Sequence, residues 1–175
     1  QPLEVIFQRM KEVKRRNIKK CLNSKIHFYE GNRSDLDHLF TIMNLTSQRK
    51  GFTPDKPEYI KYLWDQMHSR GWMHLFLANY DDIPVSAILV ICFGITVTFW
   101  RGGWSGAYGN FRPNDGLFWY AINWAKQMGF RYFDFGGIDL QTGLAFSQGD
   151  RKDFKIQNTL TEYKMGFGGE IIQYP

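Results

Sequence analysis

Three successive segments, residues 73–78, 85–93 and 95–100, are rich in β-branched and aromatic side chains and constrain this chain more than anything else in it. Asp81-Asp82 and Gly94 break them apart. Connections this short cannot cross over a sheet, so the three segments are expected to form an antiparallel meander. A glycine-rich loop is expected to follow, from Gly102-Gly103-Trp104 through Gly106 and Gly109 to Asn110. Pro113 and Asn114 then open a helix whose apolar face is Leu117, Phe118, Ala121, Ile122 and Ala125, with Gly129 as its stop. Residues 131–135 read as the next strand, so this helix crosses between the fourth and fifth strands of the sheet.

The flanks complete a mixed α/β pattern. Ile6, Met10 and Val13 recur at helical spacing and predict an amphipathic helix over residues 3–22, with a short strand around Ile26 and Phe28 after it. Ser34 is the expected N-cap of a helix presenting Leu36, Leu39, Phe40, Met43 and Leu45 and ending at Gly51. Pro57 starts another, which runs to Gly71. Near the C-terminus, a polar stretch (140–153), a helix over 154–165 and a last strand over 170–174 are expected. The domain reading is a basic helical segment, 1–25, packing on a domain of residues 26–175.

Composition narrows the classes. At 43% hydrophobic residues there is material for a packed core, yet no run approaches the roughly 18 consecutive apolar residues of a membrane span. Residues 1–25 lack the apolar region of a secretory signal. Cys21 and Cys92 supply neither a disulfide framework nor metal-ligand spacing, and a cytoplasmic setting is the expectation. The formal charge of +5 is concentrated. Residues 9–25 hold eight basic side chains against the single acid Glu12. Such a block suits a polyanion or an anionic membrane surface, or is simply a solvated helix face.

Familiar catalytic signatures do not hold up. Gly103-Trp104-Ser105-Gly106-Ala107 approximates a nucleophile elbow, but every histidine (27, 38, 68, 74) precedes Ser105. Asp134-Phe135-Gly136 lacks the companion loops of a kinase. The histidines lie one to an element, and no metal is expected. Two places keep their interest. Thr53, Lys56 and Tyr59 put a hydroxyl, a cation and a phenol beside a helix start, chemistry that suits phosphate. Tyr163-Lys164 precedes Gly166-Phe167-Gly168-Gly169, where a lysine can meet a developing oxyanion.

The ordered set of these motifs carries a resemblance. Gly102-Gly103 after an aromatic strand, Arg112-Pro113-Asn114, the helix with Trp119, Trp124 and Lys126, Tyr132-Phe133-Asp134-Phe135-Gly136-Gly137-Ile138 and Tyr163-Lys164 come in a fixed sequence. Lys14-Arg15-Arg16-Asn17-Ile18-Lys19-Lys20 and Arg49-Lys50-Gly51-Phe52 extend it toward the N-terminus. The run resembles the second GNAT-like half of the FemABX enzymes, which transfer an amino acid from aminoacyl-tRNA to the stem peptide of a peptidoglycan precursor. It implies a GNAT-like fold, a mixed, largely antiparallel sheet flanked by helices. It also implies a chain that is one half of a two-domain protein, with a lipid-linked or UDP-linked muropeptide and aminoacyl-tRNA as partners. Peripheral contact with the inner membrane surface and the absence of a cofactor go with it.

Carried over by position, Thr53, Lys56, Tyr59 and Arg101 are implied to bind the precursor. Tyr163, Lys164 and Asp134 are implied to be catalytic, with Lys164 at the oxyanion, while the base is left open between Asp134 and Asp139. Arg15, Arg16, Lys19 and Lys20 would face tRNA. Two other readings stand beside this one. The first is an N-acyltransferase using acyl-CoA, with acetyl-CoA as the co-substrate, since a GNAT fold does not fix the donor. It is disfavoured because Pro113 removes an amide and Asp115 adds a negative charge at the expected pyrophosphate helix. The second is a non-catalytic nucleic-acid-binding domain built on the basic helix.

Overall fold

Alternation of side chains along residues 73–104 builds the core of the fold. The computed structural model describes residues 1–147 and 159–172. In order the elements are α1 (Leu3–Arg9), α2 (Glu12–Leu22), β1 (Ile26–Gly31), α3 (Leu36–Lys50), α4 (Pro57–Met67), β2 (Met73–Tyr80), β3 (Ile83–Phe93), β4 (Thr96–Trp104), α5 (Pro113–Gln127), β5 (Tyr132–Asp134), α6 (Leu140–Ser147) and α7 (Thr159–Met165). The chain divides into two compact units, one of Asn17–Asp134 and one of Gln1–Arg16 with Phe135–Pro175.

The first unit is a five-stranded sheet in the order β1-β2-β3-β4-β5. Its first three pairings are antiparallel, as the meander predicted, and β4 pairs β5 in parallel after the α5 crossover. Both residues of the β2–β3 turn, Asp81 and Asp82, have positive φ (45° and 63°), the twist a tight hairpin favours. The period-2 rule then sorts the core. Met73, Leu75 and Leu77 point to one face, with Ala87 and Leu89 of β3, and bury Leu36, Leu39, Phe40, Ile42 and Met43 of α3 and Ile60 and Trp64 of α4. On the other face Phe76 meets Tyr120 and Trp124 of α5, with ring centroids 5.9 and 4.9 Å away, and Phe99 meets Phe118 at 5.0 Å. Helices therefore cover both faces of the sheet.

Several local expectations are corrected. Residues 102–104 are strand, not loop: Gly102, Gly103 and Trp104 pair with Ile88, Ala87 and Ser86. Glycine is needed here because a side chain at Gly103 would collide with Thr46, whose hydroxyl accepts the Trp104 amide at 3.1 Å. The α3 entrance is capped differently as well. Asn32 and Asp35 form a capping box around a 3-10 turn that contains Ser34. Leu45 is exposed and Ile42 takes its expected buried place.

In the second unit the expected helix over 3–22 is broken. Met10 adopts an extended conformation (φ −67°, ψ 149°), and the Lys11 amide leaves the helix to donate to the Gly166 carbonyl at 2.9 Å. The break resets the helical phase, so Val13 is exposed while Met10 and Lys14 are buried, as are Ile18 and Cys21, which count with the first unit. Part of the expected polar stretch is α6, which Asp139 caps. Of the helix expected over 154–165, α7 begins at Thr159, and 154–158 lie outside the described residues, as do 148–153. Glu170, Ile171 and Ile172 are not strand, and the remainder of the expected last strand, 173–174, also falls outside the described residues.

Candidate functional site

In the Asn17–Asp134 unit, a bulge marks the middle of β4. Leu89 pairs with Arg101 and Val90 with Phe99, so Trp100 is the extra residue. On its other side β4 pairs with β5 only at residues 96–98, and no strand among the described residues continues that pairing toward Trp104. A strand edge can offer backbone donors and acceptors to an extended ligand.

The candidate binding residues gather beside the bulge to different degrees. Tyr59, on the first turn of α4, meets the Trp100 ring edge-on at 6.4 Å. Arg101 lies over the same indole at 4.7 Å, donates to the Trp100 carbonyl and pairs with Asp55. Arg101 is therefore the tether of the 51–56 loop as well as a candidate ligand contact. Lys56 is the N-cap of α4, with an exposed side chain, and Thr53 is exposed on the loop. Asp134 is half-buried at the end of β5, opposite Thr98.

The α5 entrance is built against anion binding. Arg112 has φ +61°, Pro113 has no amide hydrogen, and the Asp115 and Gly116 amides both donate to the Arg112 carbonyl. Asp115 is 5% exposed and accepts from Asn17 Nδ2 at 2.8 Å. Burial, reinforced by Asp115, pushes the nearby Cys21 thiol up to about 12.

In the other unit, Tyr163 and Lys164 sit on α7. Lys164 Nζ donates to the Gly137 carbonyl at 2.6 Å. The Tyr163 ring carries Lys14 Nζ over its face at 3.5 Å, and Phe167 carries it at 4.5 Å. Lys14 is only 5% exposed, so one cation of the basic block supports the aromatic-lysine pair. Lys11, Val13, Lys14, Glu162, Tyr163 and Gly166 line a recess of about 250 Å³, shallow for an enclosed substrate.

Asp139 is committed elsewhere. Its carboxylate accepts from the Thr142 amide (2.9 Å), the Thr142 hydroxyl (2.7 Å) and the Thr161 hydroxyl (2.7 Å). The Thr142 amide, then the two hydroxyls, hold its carboxyl below the usual carboxylate range. A group stabilised as the anion in this way is a poor proton acceptor near neutral pH.

Along α2, Arg16, Lys19 and Lys20 are exposed. Arg15 is half-buried and donates to the Gln8 and Met10 carbonyls at 2.9 and 2.5 Å, which closes the end of α1. Sequence reasoning missed Asp55, Trp100 and the Lys14 cage. A long-range ion pair and a bulge leave no local signature, though the burial of Lys14 follows once the helix breaks. Among the described residues, no group of three or more His, Cys, Asp or Glu side chains is placed to hold a metal ion.

The pattern of the acetyltransferase (GNAT) domain family matches residues 8–155, most of the chain, and the chain belongs to that family. No curated protein matches the sequence. The fold is similar to that of FemX (TM-score 0.82, 16% identity), which it matches over 96% of this chain and 56% of that one. The FemABX resemblance read from the motifs is thus borne out at the level of fold, and the chain spans about half the length of FemX. The C-terminal domain of a putative lysylphosphatidylglycerol synthetase from Agrobacterium fabrum is similar over 90% of this chain and 51% of that one (TM-score 0.62, 15% identity). PaiA N-acetyltransferase from Thermoplasma acidophilum, in complex with coenzyme A, is similar over 78% of this chain and 93% of that one (TM-score 0.54, 15% identity).

Proposed function

We propose that this acyltransferase domain moves an aminoacyl group from aminoacyl-tRNA to the stem-peptide amine of a peptidoglycan precursor. The fold shared with FemX over 96% of this chain supports the reading. In this scheme the amine attacks the aminoacyl ester carbonyl and the carbonyl oxygen becomes an oxyanion beside the Lys164 ammonium. Asp134 takes the amine proton; as the intermediate collapses, the carbon–oxygen bond to the ribose breaks and that proton passes to the ribose oxygen, which leaves as the tRNA hydroxyl. Tyr163 supports Lys164. Thr53, Lys56, Tyr59 and Arg101 hold the lipid-linked or UDP-linked precursor, with Lys56 as a point charge for phosphate. The exposed cations of α2, Arg16, Lys19 and Lys20, meet tRNA phosphates, while Arg15 acts mainly through the α1 end. A further GNAT-like half, as in the two-domain enzymes, completes the acceptor contacts.

The second reading, acyl transfer from acetyl-CoA, is favoured by the GNAT neighbours, one of them in complex with coenzyme A. The α5 entrance opposes it, since Pro113 supplies no amide and the Asp115 and Gly116 amides are used within the chain. Calorimetric titration with acetyl-CoA separates the two: micromolar binding overturns the aminoacyl-tRNA donor. Transfer assays with aminoacyl-tRNA and a muropeptide test the first reading directly. Lys164→Ala is expected to lower the transfer rate about 10²–10³-fold with tRNA affinity kept, the size of a lost oxyanion donor. Binding of tRNA with no transfer by the unsubstituted chain would instead support the third reading, a non-catalytic nucleic-acid-binding domain.

A further inference from the structure

One end of the sheet collects exposed apolar side chains that the sheet itself does not need. The β3–β4 hairpin turns through Gly94 (φ +57°) and leaves Phe93 87% exposed and Ile95 48% exposed. Trp72, 46% exposed, adjoins this tip because its carbonyl accepts the Cys92 amide at 2.8 Å. Tyr132, 58% exposed, adjoins it from the other side, since the Arg131 and Tyr132 amides donate to the Ile95 carbonyl at 2.9 and 3.2 Å. Met128, 61% exposed, lies at the α5 end just before Arg131. Single exposed hydrophobic residues are ordinary, whereas five at one end mark a contact surface.

The charges around them are of one sign. Arg70, Lys126 and Arg131 are exposed, and the Arg70 guanidinium lies over the Trp72 ring at 5.1 Å. Residues 68–72, 92–96 and 126–132 contain no Asp or Glu. The neighbouring Glu30 is engaged by His74 Nδ1 at 2.5 Å, and Asp134 lies at the far end of β5. A second copy of this chain would set these cations against their own kind, which argues against self-association.

We propose that this end of the sheet docks on an anionic phospholipid bilayer. Phe93, Ile95 and Met128 enter the acyl boundary, Trp72 and Tyr132 sit at headgroup depth, and Arg70, Lys126 and Arg131 meet lipid phosphates. The described residues contain no helix long and apolar enough to cross a membrane, so the contact made here is interfacial. This docking surface gives a location to the peripheral membrane contact that the resemblance implies, and its test depends neither on transfer activity nor on the basic block at 9–25.

Flotation with vesicles of phosphatidylcholine mixed with phosphatidylglycerol, and of phosphatidylcholine alone, tests this without donor or acceptor. The chain is expected to float with the anionic vesicles. Phe93→Ser with Ile95→Ser, and separately Lys126→Glu with Arg131→Glu, should each lower partitioning about tenfold or more, with unchanged melting temperatures. A polarity-sensitive dye attached through Phe93→Cys should shift to the blue only with anionic vesicles; Cys21 and Cys92 are buried and stay unlabelled. No flotation of the chain, full flotation of both double variants, or an unshifted dye overturns the proposal. So does a dimer in light scattering that the Phe93 and Ile95 changes abolish.

Discussion

At the scale of single residues, environment separates side chains that composition treats alike. Lys14 and Arg16 belong to one basic run, yet Lys14 is buried over two aromatic rings and Arg16 is exposed. Asp134 and Asp139 likewise flank one glycine turn, and three donors stabilise Asp139 as an anion. Because its pKa is lowered by folding, the stabilisation it brings is complete above the ordinary carboxylate value of about 4 and disappears as pH falls through the lower folded value. Protection of the Thr142 amide from hydrogen exchange should therefore weaken in that acid window. Asp139→Asn should remove the pH dependence. Protection of Thr142 that ignores pH in the native chain would mean that the cap is not the carboxylate.

Among elements, the junctions rather than the elements themselves were hidden. The α1–α2 break depends on the Gly166 carbonyl and on room at Gly168, where φ is +76° and a Cβ would strike the Arg9 carbonyl. Gly168→Ala is expected to destabilise the Gln1–Arg16 and Phe135–Pro175 unit by about 1–3 kcal/mol in urea unfolding. Gly169→Ala, with open space around it, should be nearly neutral, and equal effects would refute the close-approach argument. Strands β2 and β3, α5, and the Gly51 stop of α3 were legible because their signals are local: period-2 and helical patterns, Pro at a first turn and Gly at a left-handed cap. The β4 extension through Gly102-Gly103 was not, because glycine reads as loop until a close neighbour such as Thr46 explains it.

For the whole molecule, the +5 charge is an uneven field, with much of its basic charge in residues 9–25. If the exposed cations of α2 meet RNA phosphates, the logarithm of affinity should fall against the logarithm of salt with a slope of about −2 to −3, as for roughly three neutralised phosphates. Fluorescence anisotropy with tRNA measures it. Replacing Arg16, Lys19 and Lys20 together by Gln should flatten the slope, while a salt-independent affinity would remove nucleic acid from the partners.

Local chemistry was enough to determine the fold class, the order of most elements and the candidate pairs on α4 and α7, since propensity, periodicity and caps act over a few residues. Which of those side chains meet was decided only in three dimensions. The Arg101–Asp55 pair, the Trp100 bulge, the Lys14 cage and the basic, apolar end around Phe93 join residues far apart in sequence. Contacts of that kind depend on strand register and helix phase, and a single extended residue at Met10 was enough to reset the latter.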